Sequence, residues 1–226
     1  LEKRRNITKK RSDFACLFDL DGVILNTEHY YTELWHKEGL KYLPHIKNFE
    51  MKIKGHSLTD IYREYFNEDK LLQTTIREDI DVMEKNMKYD YIAGIEQFLE
   101  QLKQHSIALC LVTSSLNTKM DNVFKEHKEL RSYFSHIITG EDVKYSKPNP
   151  ECYLLGASKL GFEPKDCVVF EDSLAGLSSA SNANMNVIAL STTQTIEEIQ
   201  QVKNVRKIID DFTSITIDDI KQVLAK

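Results

Sequence analysis

Apolar positions along the chain fall into two alternating rhythms. Short unbroken runs sit at Phe14–Phe18, Ile107–Val112, Cys167–Phe170, Val187–Leu190 and Val205–Ile209, with a shorter one at His136–Ile138. Runs of that length with no helical spacing predict strands of a parallel sheet covered on both faces. Between them the spacing turns helical. Ile95, Phe98, Leu99 and Leu102 mark one helix, with Gly94 before it, and Thr118–Lys125 another. Tyr153, Leu154, Ala157 and Leu160 mark a third, with Asn149 as its N-cap, Pro150 at its first position and Gly161 ending it. The small residues of Leu174–Ala183 form a fourth. Strand and helix in alternation predict an α/β, Rossmann-like core.

One interval breaks the alternation. From about residue 28 to 90 the pattern is helical throughout, with no strand. Tyr30/Leu34 and Tyr31/Trp35 are i,i+4 pairs, Gly39 reads as a helix stop, Leu58–Phe66 follows helical spacing, and Leu72, Ile76, Ile80, Met83 and Met87 form one stripe. The expected organisation is a core made of residues 13–27 and 91–226, with an all-helical cap of residues 28–90 inserted after the first strand. Asn26-Thr27 and the Tyr91–Gly94 stretch would be its hinges.

Composition narrows the class. The 226 residues are 41% apolar and 29% charged, as in an ordinary globular protein, and no apolar run nears the ~18 residues of a membrane span. The start lacks an apolar signal-peptide core, so a cytoplasmic location is expected. A start at Leu1 rather than Met is read as a trimmed end. Residues 1–12 are expected to form a basic flexible N-terminal tail, in which residues 1–11 carry Lys3, Arg4, Arg5, Lys9, Lys10 and Arg11 against Glu2. Since the whole chain is −5, the remainder is strongly acidic, which argues against nonspecific nucleic-acid binding. Cys16, Cys110, Cys152 and Cys167 contain no Cys-x-x-Cys pair and are read as small buried thiols. A monomer is the expectation at this size.

The chemistry gathers where the strands end. The first is followed by Asp19 and Asp21, the second by Thr113-Ser114-Ser115 and the later Cys167–Phe170 run by Glu171-Asp172; Lys147 lies in a loop before a helix. Ligands of open α/β sheets bind at the carboxyl ends of strands. Four carboxylates brought together with one ammonium are untenable without a divalent cation, and oxygen donors select Mg²⁺. The hydroxyls and Lys147 would then hold a phosphoryl group. A carboxylate can attack phosphorus, and a second acid two residues on faces the same side of an extended segment.

These residues resemble the motif set of the haloacid dehalogenase-like phosphatases. Phe18-Asp19-Leu20-Asp21-Gly22-Val23 is similar to their first motif, and Thr113, Lys147 and Glu171-Asp172 to their second, third and fourth. Glu171-Asp172-Ser173 with Gly176 points to the branch that includes β-phosphoglucomutase, which carries a helical cap. The resemblance implies that Asp19 is the nucleophile and Asp21 the acid/base. It implies that Mg²⁺ is held by the Asp19 side chain, the Asp21 carbonyl and Asp172, with Glu171 in support. Thr113, Ser114 and Lys147 would bind phosphate. Lys54, Gly55, His56 and Asn117 are the candidate substrate contacts. A mutase's second cationic site is poorly matched: Tyr31, Leu58 and Leu116 stand where β-phosphoglucomutases have His, Arg and Lys. The expectation is therefore a Mg²⁺-dependent phosphatase acting on a small phosphorylated metabolite, a sugar phosphate first. A phosphosugar mutase, or a non-catalytic binding module on the same fold, is the alternative.

Overall fold

The computed structural model describes residues 12–54, 56–67 and 69–225. The basic segment 1–11 and the candidate contact Gly55 lie outside the described residues. Six parallel strands form one sheet: β1 (Ala15–Phe18), β2 (Ala108–Val112), β3 (His136–Ile138), β4 (Cys167–Glu171), β5 (Asn186–Leu190) and β6 (Val205–Ile209), in the order β3-β2-β1-β4-β5-β6. β1 is fully buried because it lies between β2 and β4, with Phe18 opposite Leu111 on one side and Phe170 on the other. Its side chains alternate between two cores. Cys16 and Phe18 face the cluster completed by α5 (Ile95–Gln104), α6 (Asn117–Glu126) and α10 (Ile217–Leu224). Ala15 and Leu17 face the one completed by α7 (Glu151–Leu160), α8 (Leu174–Asn182) and α9 (Ile196–Gln200). Phe18 stacks on Phe170 at 4.4 Å, with Phe98, Phe134 and Phe212 around them. This aromatic knot fixes the floor on which the two acids after β1 stand. All four cysteines are buried and free.

The cap consists of α1 (Glu28–Tyr42), α2 (Phe49–Lys52), α3 (Leu58–Tyr65) and α4 (Lys70–Asn86), closed over their own core of Trp35, Phe49, Ile53, Ile61, Phe66, Ile76 and Ile80. Ser57 and Asp69 cap α3 and α4 by accepting the backbone N–H groups of Asp60 and Leu72. Two strands of chain join cap to core, and they run side by side: Asn26 N–H donates to Asp90 O at 2.8 Å and Ile92 N–H to Ile24 O at 2.9 Å. Met83 and Met87 belong to the core-facing cluster, so this stripe seats the cap on the sheet domain.

Two of the helix boundaries that differ from the sequence expectation have a local cause. α1 continues past Gly39 to Tyr42, because Gly39 is a close-approach residue: a Cβ there would lie 2.8 Å from Phe49 Cβ. α7 starts at Glu151 rather than Pro150, because Asn149 Oδ1 turns back to accept the Glu151 N–H at 3.0 Å. Among the described residues no helix is long and apolar enough to cross a membrane.

Candidate active site

The carboxyl ends of β1, β2 and β4 open into one cavity of about 450 Å³ between core and cap. Asp19, Asp21, Thr113, Ser114, Lys147, Glu171 and Asp172 all line it. Asp19 is fixed by its backbone, whose N–H donates to Phe170 O at 3.0 Å. Gly22 follows with φ +72°, which lets the chain turn back so that Gly22 N–H reaches Leu25 O at 2.8 Å. A Cβ on Gly22 would overlap Asp172 Oδ2. The glycine thus serves both the turn and the approach of the fourth strand's acid.

Lys147 is the hinge of the charges. Its buried ammonium lies 2.6 Å from Asp19 Oδ1 and 2.7 Å from Glu171 Oε1, and its Nζ sits 4.9 Å from the centroid of the Tyr153 ring. Burial alone would lower this ammonium's pKa, but Asp19 and Glu171 outweigh it and raise it. Glu171 uses every acceptor position on protein. Oε1 takes Lys147 and the Tyr153 hydroxyl (3.0 Å), while Oε2 takes the N–H groups of Asp172 and Ser173 and the Ser173 hydroxyl. That geometry suits a support for Lys147 rather than a direct metal ligand. It also explains Gly176, where a Cβ would overlap Glu171 Oε1.

Asp21 lives in a different environment two residues from Asp19. Oδ1 accepts from Thr27 Oγ1 and, at 2.5 Å, from Lys119 Nζ; Oδ2 accepts from Ser115 Oγ at 3.1 Å. Burial pushes its pKa up, but Lys119, Thr27 and Ser115 prevail and lower it. Asp19 goes the other way. Burial dominates, Lys147 only partly offsets it, and Glu171 and Asp21 add to it, so its pKa is pushed up to about 7. Without a cation the two neighbouring acids are thereby driven apart, Asp19 toward its protonated form and Asp21 toward its ionised one, and positive charge beside Asp19 would favour its carboxylate.

The donor set fits a hard divalent cation. Among the described residues Asp172 has no ammonium partner, and its Oδ2 accepts from the Thr193 and Thr192 hydroxyls. Burial, Glu171, Glu28 and Asp19 raise its pKa. Glu28, in the first turn of α1, is pushed up to about 7 by burial and then by Asp21. Five carboxylates (Asp19, Asp21, Glu28, Glu171, Asp172) therefore share two buried ammonium groups, Lys119 and Lys147. Asp19 and Asp172 offer oxygen alone, the choice of Mg²⁺ rather than a softer ion. Among the described residues no three His, Cys, Asp or Glu groups converge on a metal position, so any cation leans on few side chains.

Toward the cap, Lys54 and His56 line the cavity with Glu28, Tyr31, Trp35, Glu50, Arg77 and Glu84. Asn117 does not. It stands at the first position of α6 and is turned to Glu141, which takes its N–H at 3.3 Å and its side-chain amide. An acid at a helix N-terminus is favoured there, and it holds Asn117 away from the cavity. Three participants were missed in the sequence reading: Lys119, Tyr153 and Glu28. Only Glu28 had a visible signal, its place just beyond the hinge.

Known proteins share the sequence and the fold of this chain. The family model described as haloacid dehalogenase-like hydrolase matches residues 16–190. A (DL)-glycerol-3-phosphatase of Arabidopsis thaliana is 30% identical over 187 residues, covering 76% of this chain; the chain spans 62% of that protein's length. A phosphorylated carbohydrates phosphatase of Thermotoga maritima is 29% identical over 182 residues, covering 77% of this chain and 83% of that one. Among solved structures, a β-phosphoglucomutase of Clostridium difficile superposes with a TM-score of 0.76 at 26% identity, covering 93% of this chain and 96% of the other.

Proposed function

The chain belongs to the haloacid dehalogenase-like hydrolases, in the branch that contains β-phosphoglucomutase, and from that premise we propose that it is a Mg²⁺-dependent phosphatase of a small phosphorylated metabolite, a sugar or polyol phosphate first. The observation that carries the reading is the contrast between Asp19 and Asp21. One acid rests against Lys147, with Thr113 and Ser114 lining the same cavity. The other is held apart by Lys119, Thr27 and Ser115.

Asp19 attacks phosphorus as the carboxylate while the bond to the leaving oxygen breaks, and Asp21, which takes up a proton before this step, gives it to that oxygen. The resulting Asp19 acyl phosphate is attacked at phosphorus by water, whose proton returns to the Asp21 carboxylate, and Asp19 is released with inorganic phosphate. Thr113, the Ser114 N–H and Lys147 hold the phosphoryl oxygens throughout. Asp19, Asp172 and the Asp21 carbonyl would hold Mg²⁺, which when bound supplies positive charge against those oxygens. Glu171 keeps Lys147 in place.

Hydrolysis is favoured over mutase chemistry because the cations near the cap are already engaged. Arg77 is bound to Asp81 and Glu84, and Lys119 to Asp21, so neither is free to take a second phosphate. Lys54, which faces the cavity, is the feature that favours the mutase. A panel of phosphorylated metabolites including glycerol 3-phosphate and hexose phosphates, assayed with Mg²⁺, separates the two. Phosphate release from at least one ester is expected. Conversion of β-glucose 1-phosphate to glucose 6-phosphate without phosphate release would overturn the hydrolase in favour of the mutase, and inertness toward every ester would overturn both.

A further inference from the structure

Lys119 is the one lysine among the described residues with no exposed surface, and it does not open into the cavity. An ammonium is expensive to bury, and it is kept only where partners repay its lost hydration. Its partners here come from both sides of the cap–core boundary. On the core side Nζ meets Asp21 Oδ1 at 2.5 Å. On the cap side it lies 4.7 Å from the ring centroid of Tyr31, against the π face. Tyr31 in turn donates its hydroxyl to Glu84 Oε1 at 2.8 Å, and Glu84 Oε2 accepts from Arg77 at 3.2 Å. An unbroken chain of alternating charge thus runs from the acid/base aspartate through Lys119 and the Tyr31 ring to Glu84 and Arg77 on α4, which packs against α6.

We propose that Lys119 is a positioning residue that couples the seating of the cap to the aim of Asp21. Oδ1 of Asp21 is gripped by Thr27 and Lys119, Oδ2 by Ser115, and the carboxylate is fixed in one orientation only when all three donors are in place. Lys119 keeps its place because Tyr31 seals it. When the cap lifts, Tyr31 leaves with α1, water reaches the ammonium, and the grip on Asp21 loosens. Proton transfer is then confined to the state in which the cap covers the substrate. The lysine stands two residues beyond Asn117, on a helix turn that carries it behind the acid rather than into the cavity. It therefore acts on catalysis through Asp21 and not on a second phosphate.

This inference rests on the phosphatase reading, and its test separates the two. Turnover of p-nitrophenyl phosphate with Mg²⁺ is measured for the wild type, Lys119→Met, Lys119→Arg, Tyr31→Leu and Asp21→Asn, and for the Lys119→Met/Asp21→Asn and Tyr31→Leu/Asp21→Asn double variants, with melting curves for each. Lys119→Met is expected to lower kcat about 100-fold with KM within about threefold, and Lys119→Arg to recover at least about tenfold of it. In the Asp21→Asn background Lys119→Met is expected to change kcat by less than about threefold, because residues acting through one another do not multiply. Tyr31→Leu should cost about tenfold alone and nothing further once Asp21 is replaced. Unchanged kcat in Lys119→Met, or losses that multiply with Asp21→Asn, would overturn the proposal. If Lys119→Met does not fold, the Tyr31→Leu pair decides by the same criterion. A wild type inert toward the ester would instead defeat the phosphatase reading.

Discussion

Glu28 illustrates how a single side chain registers the charge of this site. Burial first and Asp21 second push its pKa from an ordinary 4.5 to about 7, with Lys119 and Lys54 only partly compensating. Between those two values the folded chain binds more protons here than the unfolded chain, so stability falls as pH rises from about 4.5 to about 7. Glu28→Gln removes that slope. The variant should equal the wild type near pH 4 and exceed it by about 1 to 2 kcal/mol at pH 8 in metal-free buffer, measured by urea denaturation. Parallel profiles for the two proteins would refute the assignment. At this scale the sequence was most informative where chemistry and position coincide. Asp19, Asp21, Thr113 and Lys147 were readable because each follows or precedes a recognisable strand or helix start. Lys119 was not, because a lysine in a polar helix turn ordinarily points to water, and only the approach of α1 and α4 from elsewhere in the chain encloses it. Asn117 failed for the opposite reason. Its neighbours in sequence belong to the site, but the first turn of α6 directs it to Glu141.

The elements were legible wherever one face is apolar and its period is clean. β1, β2, β4 and β5 were found because they are buried on both faces, and α5 because Ile95, Phe98, Leu99 and Leu102 mark its stripe. The two C-terminal helices α9 and α10 escaped notice because α9 is a five-residue turn and α10 buries only Ile220 and Val223. Both begin in capping boxes, at Thr195/Glu198 and Thr216/Asp219. The second box also ties α10 to β6, since Asp219 Oδ1 accepts from Lys207 at 2.6 Å. Hydrogen bonds from Lys207 first and then Thr216 lower the Asp219 pKa to about 2. A depressed carboxylate stabilises the fold above its unfolded pKa, near 3.8, and loses that contribution as pH falls toward 2. Asp219→Asn should therefore melt below the wild type at pH 7, and the gap should narrow as pH drops from 4 to 2. A gap that is constant with pH would show that the side chain acts through shape alone.

The whole molecule is a sheet domain whose active carboxylates are covered by a helical cap. The two are joined by the paired crossings at Asn26/Asp90 and Ile24/Ile92 and touch again where Ser146 Oγ donates to Asp60 Oδ2 at 3.3 Å. Ser146 directly precedes Lys147, so the cap and Lys147 are adjacent in both chain and space. The all-helical interval was plain in the sequence, since 60 residues without a strand signal cannot join a parallel sheet. The cap-side lining of the cavity was not, because Trp35, Glu50, Arg77 and Glu84 reach it from three separate helices. On the proposed function, Asp19 performs the chemistry with a divalent cation beside it. Phosphate release from p-nitrophenyl phosphate, measured with Mg²⁺ and after its removal by chelator, tests this most directly in the wild type and Asp19→Asn. The wild type should turn over only with Mg²⁺, and Asp19→Asn should lose about 1000-fold or more while melting no lower than the wild type. An Asp19→Asn protein that releases phosphate at the wild-type rate would contradict the account.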